Sequence, residues 1–145
     1  MIPRWIRRWW PLRRSNAPEP EHLRRGRAGE EAARRNLAAQ GLKFLAANFR
    51  HEAGEIDLVF RDGDGLVFVE VKTRSSENWT RPAAAVDAEK RRRISRTALA
   101  YLARIGNPKV VFRFDIVEVL LKDGQVAEVR HLVNAFPLDP RHRYV

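Results

Sequence analysis

The chain of 145 residues contains no cysteine. That absence removes disulfides, zinc-finger ligation and thiol catalysis together, and it fits a reducing, cytoplasmic compartment. Long apolar runs are missing as well. No segment approaches the roughly 20 apolar residues of a membrane-spanning helix. The opening MIPRWIRRWW interrupts every apolar stretch with arginine, so a secretory signal, which needs about 7–15 unbroken apolar residues, is not expected. No internal repeat and no second folded domain are visible. Acidic residues are scarce relative to basic ones: 18 Asp and Glu stand against 28 Lys and Arg, a formal net charge of +10. An excess of that sign favours a polyanionic partner, with nucleic acid first and anionic membrane second.

What is present is the balance of one compact domain, with 44% hydrophobic and 32% charged residues. Residues 1–20 stand apart in composition. They interleave Arg4, Arg7, Arg8, Arg13 and Arg14 with Trp5, Trp9 and Trp10 before Pro11, Pro18 and Pro20. They read as a flexible basic arm suited to DNA backbone or a membrane surface. The folded domain is expected over residues 21–137, and a short tail over residues 138–145.

Residues 22–40 carry helical periodicity, with Gly41 placed to end the helix. Leu23, Ala33 and Leu37 share one face, and Glu30 lies on that same face, unusually for a carboxylate. FLAANFR, EIDLVF and LVFVEVKTR then read as three strands, divided by HEAG and by the turn RDGDG. Pro82 is placed to open a second helix running to about residue 105, with Val86, Ile94, Ala98, Tyr101 or Leu102, and Ile105 as its apolar stripe and Lys90 aimed inward among them. KVVFRFDIVEVLL and VAEVRHLV form two further strands around the turn KDGQ. The order α-β-β-β-α-β-β places a crossover helix between the third and fourth strands, so those two run parallel in a mixed sheet flanked by helices.

The stretch VFVEVKTR puts an acid and a base where a buried strand should be apolar. Alternation sets Phe68, Glu70 and Lys72 on one face and Val67, Val69 and Val71 on the other. On the preceding strand Glu55 and Asp57 share a face, and the hairpin brings Asp57 within range of Glu70, with the register left open. Two shielded carboxylates repel one another and require a cation. Lys72 alone supplies one in a plain cross-strand ion pair; a divalent metal supplies more. Hard oxygen donors suit Mg²⁺, and an ammonium beside such an ion orients water and offsets charge at a phosphate. In outline this is a site for phosphodiester hydrolysis.

GEIDLVF, a short turn and VFVEVKTR resemble the active-site strands of the PD-(D/E)XK nuclease superfamily. More closely, the chain resembles the small bacterial YraN-like proteins, regarded as predicted endonucleases related to archaeal Holliday junction resolvases. The resemblance runs from about residue 22 to residue 136 and includes RAGEEAA, ANFR, AEKRRRI, RFDIV and NAF. It implies a restriction-endonuclease-like αβββαβ core in the α/β class. It implies Asp57 and Glu70 as metal-binding acids, Lys72 as catalytic lysine, and the carbonyl of Val71 as a further metal ligand. Glu30 matches a helix-borne acid beside the metal, and Glu55 belongs to the motif as a ligand or an electrostatic neighbour. Lys90 matches a helix lysine that contacts DNA or completes the site, and Arg74 is placed to grip a phosphate. Asp115 matches too, with a structural role at the sheet expected. The implied activity is cleavage of DNA, branched DNA included, with Mg²⁺ or Mn²⁺, and no small-molecule substrate. Lys90, Arg91, Arg92, Arg93 and Arg96 wrap around the second helix as candidate backbone contacts.

One departure concerns Thr80, Arg81 and Pro82, where related sequences often have glycine or other small residues. The loop over the site is therefore expected to differ in shape. The Trp-Arg arm lies outside the resemblance. Two other readings stay open: a nucleic-acid-binding protein that keeps the fold without cleaving, and a membrane-surface factor acting through the arm. The likeness to junction resolvases also leaves room for a homodimer.

Overall fold

Two helices and five strands follow one another as α1 (Glu21–Ala39), β1 (Lys43–His51), β2 (Gly54–Asp62), β3 (Gly65–Ser75), α2 (Ala88–Arg104), β4 (Phe112–Lys122) and β5 (Gln125–Phe136). These come from a computed structural model, which describes residues 18–52, 54–75 and 86–142. The arm up to residue 17 and the segment with Thr80, Arg81 and Pro82 lie outside the described residues.

The five strands form one sheet in the order β1-β2-β3-β4-β5. Three junctions are antiparallel hairpins, while β3 and β4 run parallel from Leu66↔Phe112 to Ser75↔Leu121. A parallel pair needs a crossover, and α2 lies within it. The sheet is apolar on both faces because each face is covered. On one side Phe68, Phe114 and Ile116 pack with Ile94, Ala98, Tyr101 and Leu102 of α2. On the other, Val67, Val69, Val117 and Val119 pack with Ala33 and Leu37 of α1. This double covering explains the unbroken apolar start of β3. The α/β class and the αβββαβ order are as the sequence implies.

Some boundaries differ. The second helix starts at Ala88, not at Pro82: Asp87 is its N-cap and its side chain accepts the Lys90 N–H at 2.8 Å, satisfying a first-turn amide that would otherwise lack an acceptor. Val86 therefore precedes the helix, though it is buried in the core. Leu23 is exposed rather than part of the buried stripe, which consists of Gly29, Ala33 and Leu37. Ile105 caps α2 and is also exposed. β5 runs on to Phe136, whose ring stacks on Phe114 at 4.9 Å. Among the described residues no helix is long and apolar enough to cross a membrane.

Helix α1 approaches β3 through a glycine. A Cβ added at Gly29 would stand 1.9 Å from Thr73 Oγ1 and 3.1 Å from Thr73 Cβ. Rotating Thr73 gives no full relief, because its Cβ does not move with the rotation and stays at 3.1 Å. Gly29 thus sets the height of α1 above the sheet, and with it the reach of Glu30. Gly29→Ala is expected to lower unfolding free energy by about 1–2 kcal/mol, since overpacking outweighs the helix-propensity gain of alanine. Adding Thr73→Ala should recover most of that loss in urea denaturation. A neutral or stabilising Gly29→Ala would contradict the packing argument.

Candidate active site

The site begins where the sheet opens. Pairing between β2 and β3 runs from Asp62↔Gly65 to Leu58↔Val69 and stops there. Backbone amides alternate in direction along a strand, so the next N–H on that edge of β3 belongs to Val71. Its acceptor is not a strand carbonyl but Asp57 Oδ2, at 2.8 Å. On the other side of β2, the pairs Ala47↔Leu58 and Phe49↔Ile56 flank Asn48, whose φ is +54°. Asparagine tolerates that left-handed conformation better than most residues. Alternation along β2 is broken here: Ile56 and Val59 pack into the α2-side core, while Leu58 and Phe60 pack into the α1-side core. Asp57 occupies the break and directs its carboxylate into the gap.

Glu70 lines the same gap and is only 6% exposed. Its Oε1 is 2.9 Å from Lys90 Nζ and 3.7 Å from Lys72 Nζ. It also shares a hydrogen bond with Asp57. Burial pushes the Asp57 carboxyl up to about 8, and the Glu70 charge adds to the rise, while the Val71 hydrogen bond pulls the other way. Glu30 reaches the gap from α1. Its carboxyl is raised by burial and then by the charge of Glu55, against a hydrogen bond with the Asn48 side chain. For Lys90, burial opposes the charged form, but the hydrogen bond and charge of Glu70 outweigh it and leave the ammonium above its ordinary value. Glu55 sits at the rim in an ion pair with Arg50 at 3.2 Å.

The structure thus brings together Glu30, Asp57, Glu70, Lys72 and Lys90, with Glu55 adjoining. The remaining expected residues lie around this centre. Val71 meets it through its N–H. Arg74 lies beside buried Glu118, Nε to Oε2 at 3.6 Å. Arg91 donates to the Val86 carbonyl at 3.0 Å and lies 5.6 Å over the Phe136 ring. Arg92, Arg93 and Arg96 line a small hollow of about 250 Å³ with His51, Glu52 and Glu89. The basic run is therefore split around the helix rather than gathered on one surface.

Asp115 is fully buried away from this gap. It accepts from Arg113 Nε at 3.0 Å and the Asn134 N–H at 2.9 Å, and it lies 2.7 Å from His131 Nε2. These contacts tie β4 to β5, the structural role expected for it. Sequence reasoning missed Asn48 and Arg50, although both lie in the ANFR motif. The available signal was asparagine's tolerance of positive φ inside an apparent strand.

Among the described residues no three His, Cys, Asp or Glu side chains form a closed metal cage. The donor set nonetheless suits a hard divalent ion. Burial first, and the neighbouring Glu70 charge second, push the Asp57 carboxyl up to about 8, a cost that a cation would relieve, and Mg²⁺ characteristically takes one or two carboxylates and retains waters.

Two carboxylates at a parted pair of strands, with a lysine two residues beyond the second acid, lie on a single α/β domain whose five-stranded mixed sheet is flanked by two helices, the frame of a nuclease-like core. The chain belongs to the uncharacterised protein family UPF0102, the YraN-like group, whose family model matches residues 29–119. The UPF0102 protein of Symbiobacterium thermophilum is 47% identical over 111 residues, covering 77% of this chain and 94% of that protein. That of Pelobacter propionicus is 42% identical over 126 residues, covering 86% and 90%. That of Solibacter usitatus is 49% identical over 113 residues, covering 77% and 83%.

The Asp57 environment fixes a pH dependence for the cation-free protein. A carboxyl raised on folding contributes stability that is full below its ordinary value of 3.8 and is lost as pH rises through about 8. Urea denaturation across that window should show stability falling with pH. Asp57→Asn, which cannot ionise, should flatten this part of the curve; an unchanged slope in the variant would remove Asp57 as its origin.

Proposed function

We propose that the chain is a divalent-cation-dependent endonuclease that hydrolyses phosphodiester bonds in DNA, branched or otherwise structured DNA included. The observation that carries this reading is the Asp57–Glu70 pair: two hard-oxygen acids side by side at the gap, Glu70 buried and the Asp57 carboxyl raised by burial and then by the Glu70 charge, with Lys72 beside the second. A purely structural ion pair would need only one of these acids. Nothing in simple nucleic-acid binding calls for placing both at a deliberate break in the sheet.

In this reading Asp57 and Glu70 hold Mg²⁺ or Mn²⁺. The ion supplies concentrated positive charge that acidifies water and stabilises charge developing on a phosphate oxygen. Lys72, on the same face as Glu70, orients the attacking water and offsets negative charge at the scissile phosphate. Glu30, whose carboxyl is raised above its ordinary value by burial, stands at the mouth of the gap beside the proposed ion. The Val71 N–H holds the Asp57 carboxylate in place through its 2.8 Å hydrogen bond, so that the acid does not turn out to solvent. Arg74 and the arginines at the start of α2 supply backbone contacts, which makes binding salt-dependent. The net charge of +10 supports the same partner.

The test offers linear, nicked, flapped and four-way-junction DNA to the purified chain with Mg²⁺, Mn²⁺ or EDTA. Cleavage is expected only with the ion. Asp57→Ala and Lys72→Ala should each lose at least about 100-fold in rate, the scale of a positioned acid–base group. Binding without cleavage on every substrate would make the chain a non-catalytic binding protein. Cutting that survives both substitutions would put the chemistry elsewhere.

A further inference from the structure

Lys90 enters the site from outside the two acid-bearing strands. The Asp87 cap fixes its backbone amide at 2.8 Å, while its side chain extends from the first turn of α2 to Glu70. Its Nζ is closer to Glu70 Oε1 than that of Lys72 is, 2.9 Å against 3.7 Å. The burial of the two partners is unequal: the Lys90 side chain is 43% exposed and that of Glu70 only 6%. A solvent-reaching cation thus covers a buried anion, on the carboxylate that the proposed metal would also use. Lys72 and Lys90 already share Oε1, and a divalent ion added beside them would repel the nearer ammonium strongly in a shielded site, so its entry disfavours the Lys90 contact.

The ionic balance leads the same way. Glu30, Glu55, Asp57 and Glu70 act on one another or on Lys90 in this gap, and the ammonium groups of Lys72 and Lys90 answer them. A divalent ion on Asp57 and Glu70 would make the Lys90 charge redundant there. An ammonium on a long flexible stem, with three donors, would then be free beside the place where a phosphate must enter.

We propose that Lys90 is a removable counter-cation: it holds Glu70 while no divalent ion is bound, gives up that oxygen when one enters, and then contacts a phosphate oxygen of the nucleic acid. This rests on the metal-dependent reading above. It makes Lys90 a positioning residue that couples ion uptake to nucleic-acid binding in a fixed order. Before the ion enters, Lys90 contributes nothing to the grip on nucleic acid; afterwards it contributes one phosphate contact.

The experiment compares the full chain with Lys90→Gln, with Lys90→Met as a second uncharged variant and Arg92→Gln as a control on the same helix. Circular dichroism and thermal unfolding establish that each is folded. Calorimetric titration with Mn²⁺ alone reads ion affinity. Fluorescence anisotropy of a labelled duplex across a salt series, in Ca²⁺ or in EDTA and with the duplex checked intact, reads phosphate contacts. The expected result has two opposite signs. Both Lys90 variants bind Mn²⁺ several-fold more tightly, and they lose about one unit of salt slope in Ca²⁺ but none in EDTA. Arg92→Gln should change the slope equally in both media. If the wild type binds Mn²⁺ while the Lys90 variants match it in ion affinity and slope, the removable role is wrong and the metal site stands. A slope loss of equal size in Ca²⁺ and EDTA would also overturn it, by making the phosphate contact permanent. Unfolded Lys90 variants would make the ion pair a structural one and end the proposal. A wild type that takes up no Mn²⁺ would overturn the metal-dependent reading and this one together.

Discussion

The mutual repulsion of Asp57 and Glu70 is the constraint around which the rest is arranged. Neither strand would place a carboxylate at this depth for its own stability. The fold accommodates both by ending the β2–β3 ladder at Leu58↔Val69 and letting a carboxylate take over the next backbone amide. The gap so formed joins the two faces of the sheet. Glu30 reaches it from α1, and Lys90 reaches it from α2. A regular hairpin would keep those helices electrically isolated from each other.

The remainder of the sheet keeps this gap in place. β3 lies at its centre, bound on one side by an antiparallel hairpin and on the other by the single parallel pair. Beyond it, buried Asp115 gathers Arg113, His131 and the Asn134 amide. Arg113 also reaches Asp62 at the β2–β3 turn, at 2.9 Å. A buried carboxylate with this many partners keeps its charge compensated, and the network links the turn end of the β2–β3 hairpin to β4 and β5. The aromatic cluster of Phe68, Phe112, Phe114 and Phe136 fills the space between sheet and α2. It holds the helix that carries Lys90.

The element order and the face assignments of β3 were legible because alternation and turn chemistry are local properties. The Asp57–Glu70 encounter was legible only as an option, since register depends on where pairing stops, and at that stop the Asp57 carboxylate itself takes the Val71 amide. Lys90 was visibly misplaced on an apolar stripe, but its partner came from a strand far off in sequence. The start of α2 was misread because Pro82 and Asp87 are both plausible openings, and local preference does not rank them. Leu23 was misread because periodicity does not say how far a helix overhangs the sheet it covers. The dispersal of the basic run around α2 was legible from helical spacing, but the partners of each arginine were not, since rotamers of long side chains answer to their neighbours.

The contact between Gly29 and Thr73 carries a consequence for how such a chain can vary through descent. Any residue larger than glycine at position 29 meets the threonine directly, and the helix it lifts carries Glu30 in the next position. A lineage can therefore enlarge position 29 harmlessly only after position 73 has become smaller. The two sites are not free to drift in either order, and one of the two histories passes through a chain with its helix-borne acid withdrawn from the gap.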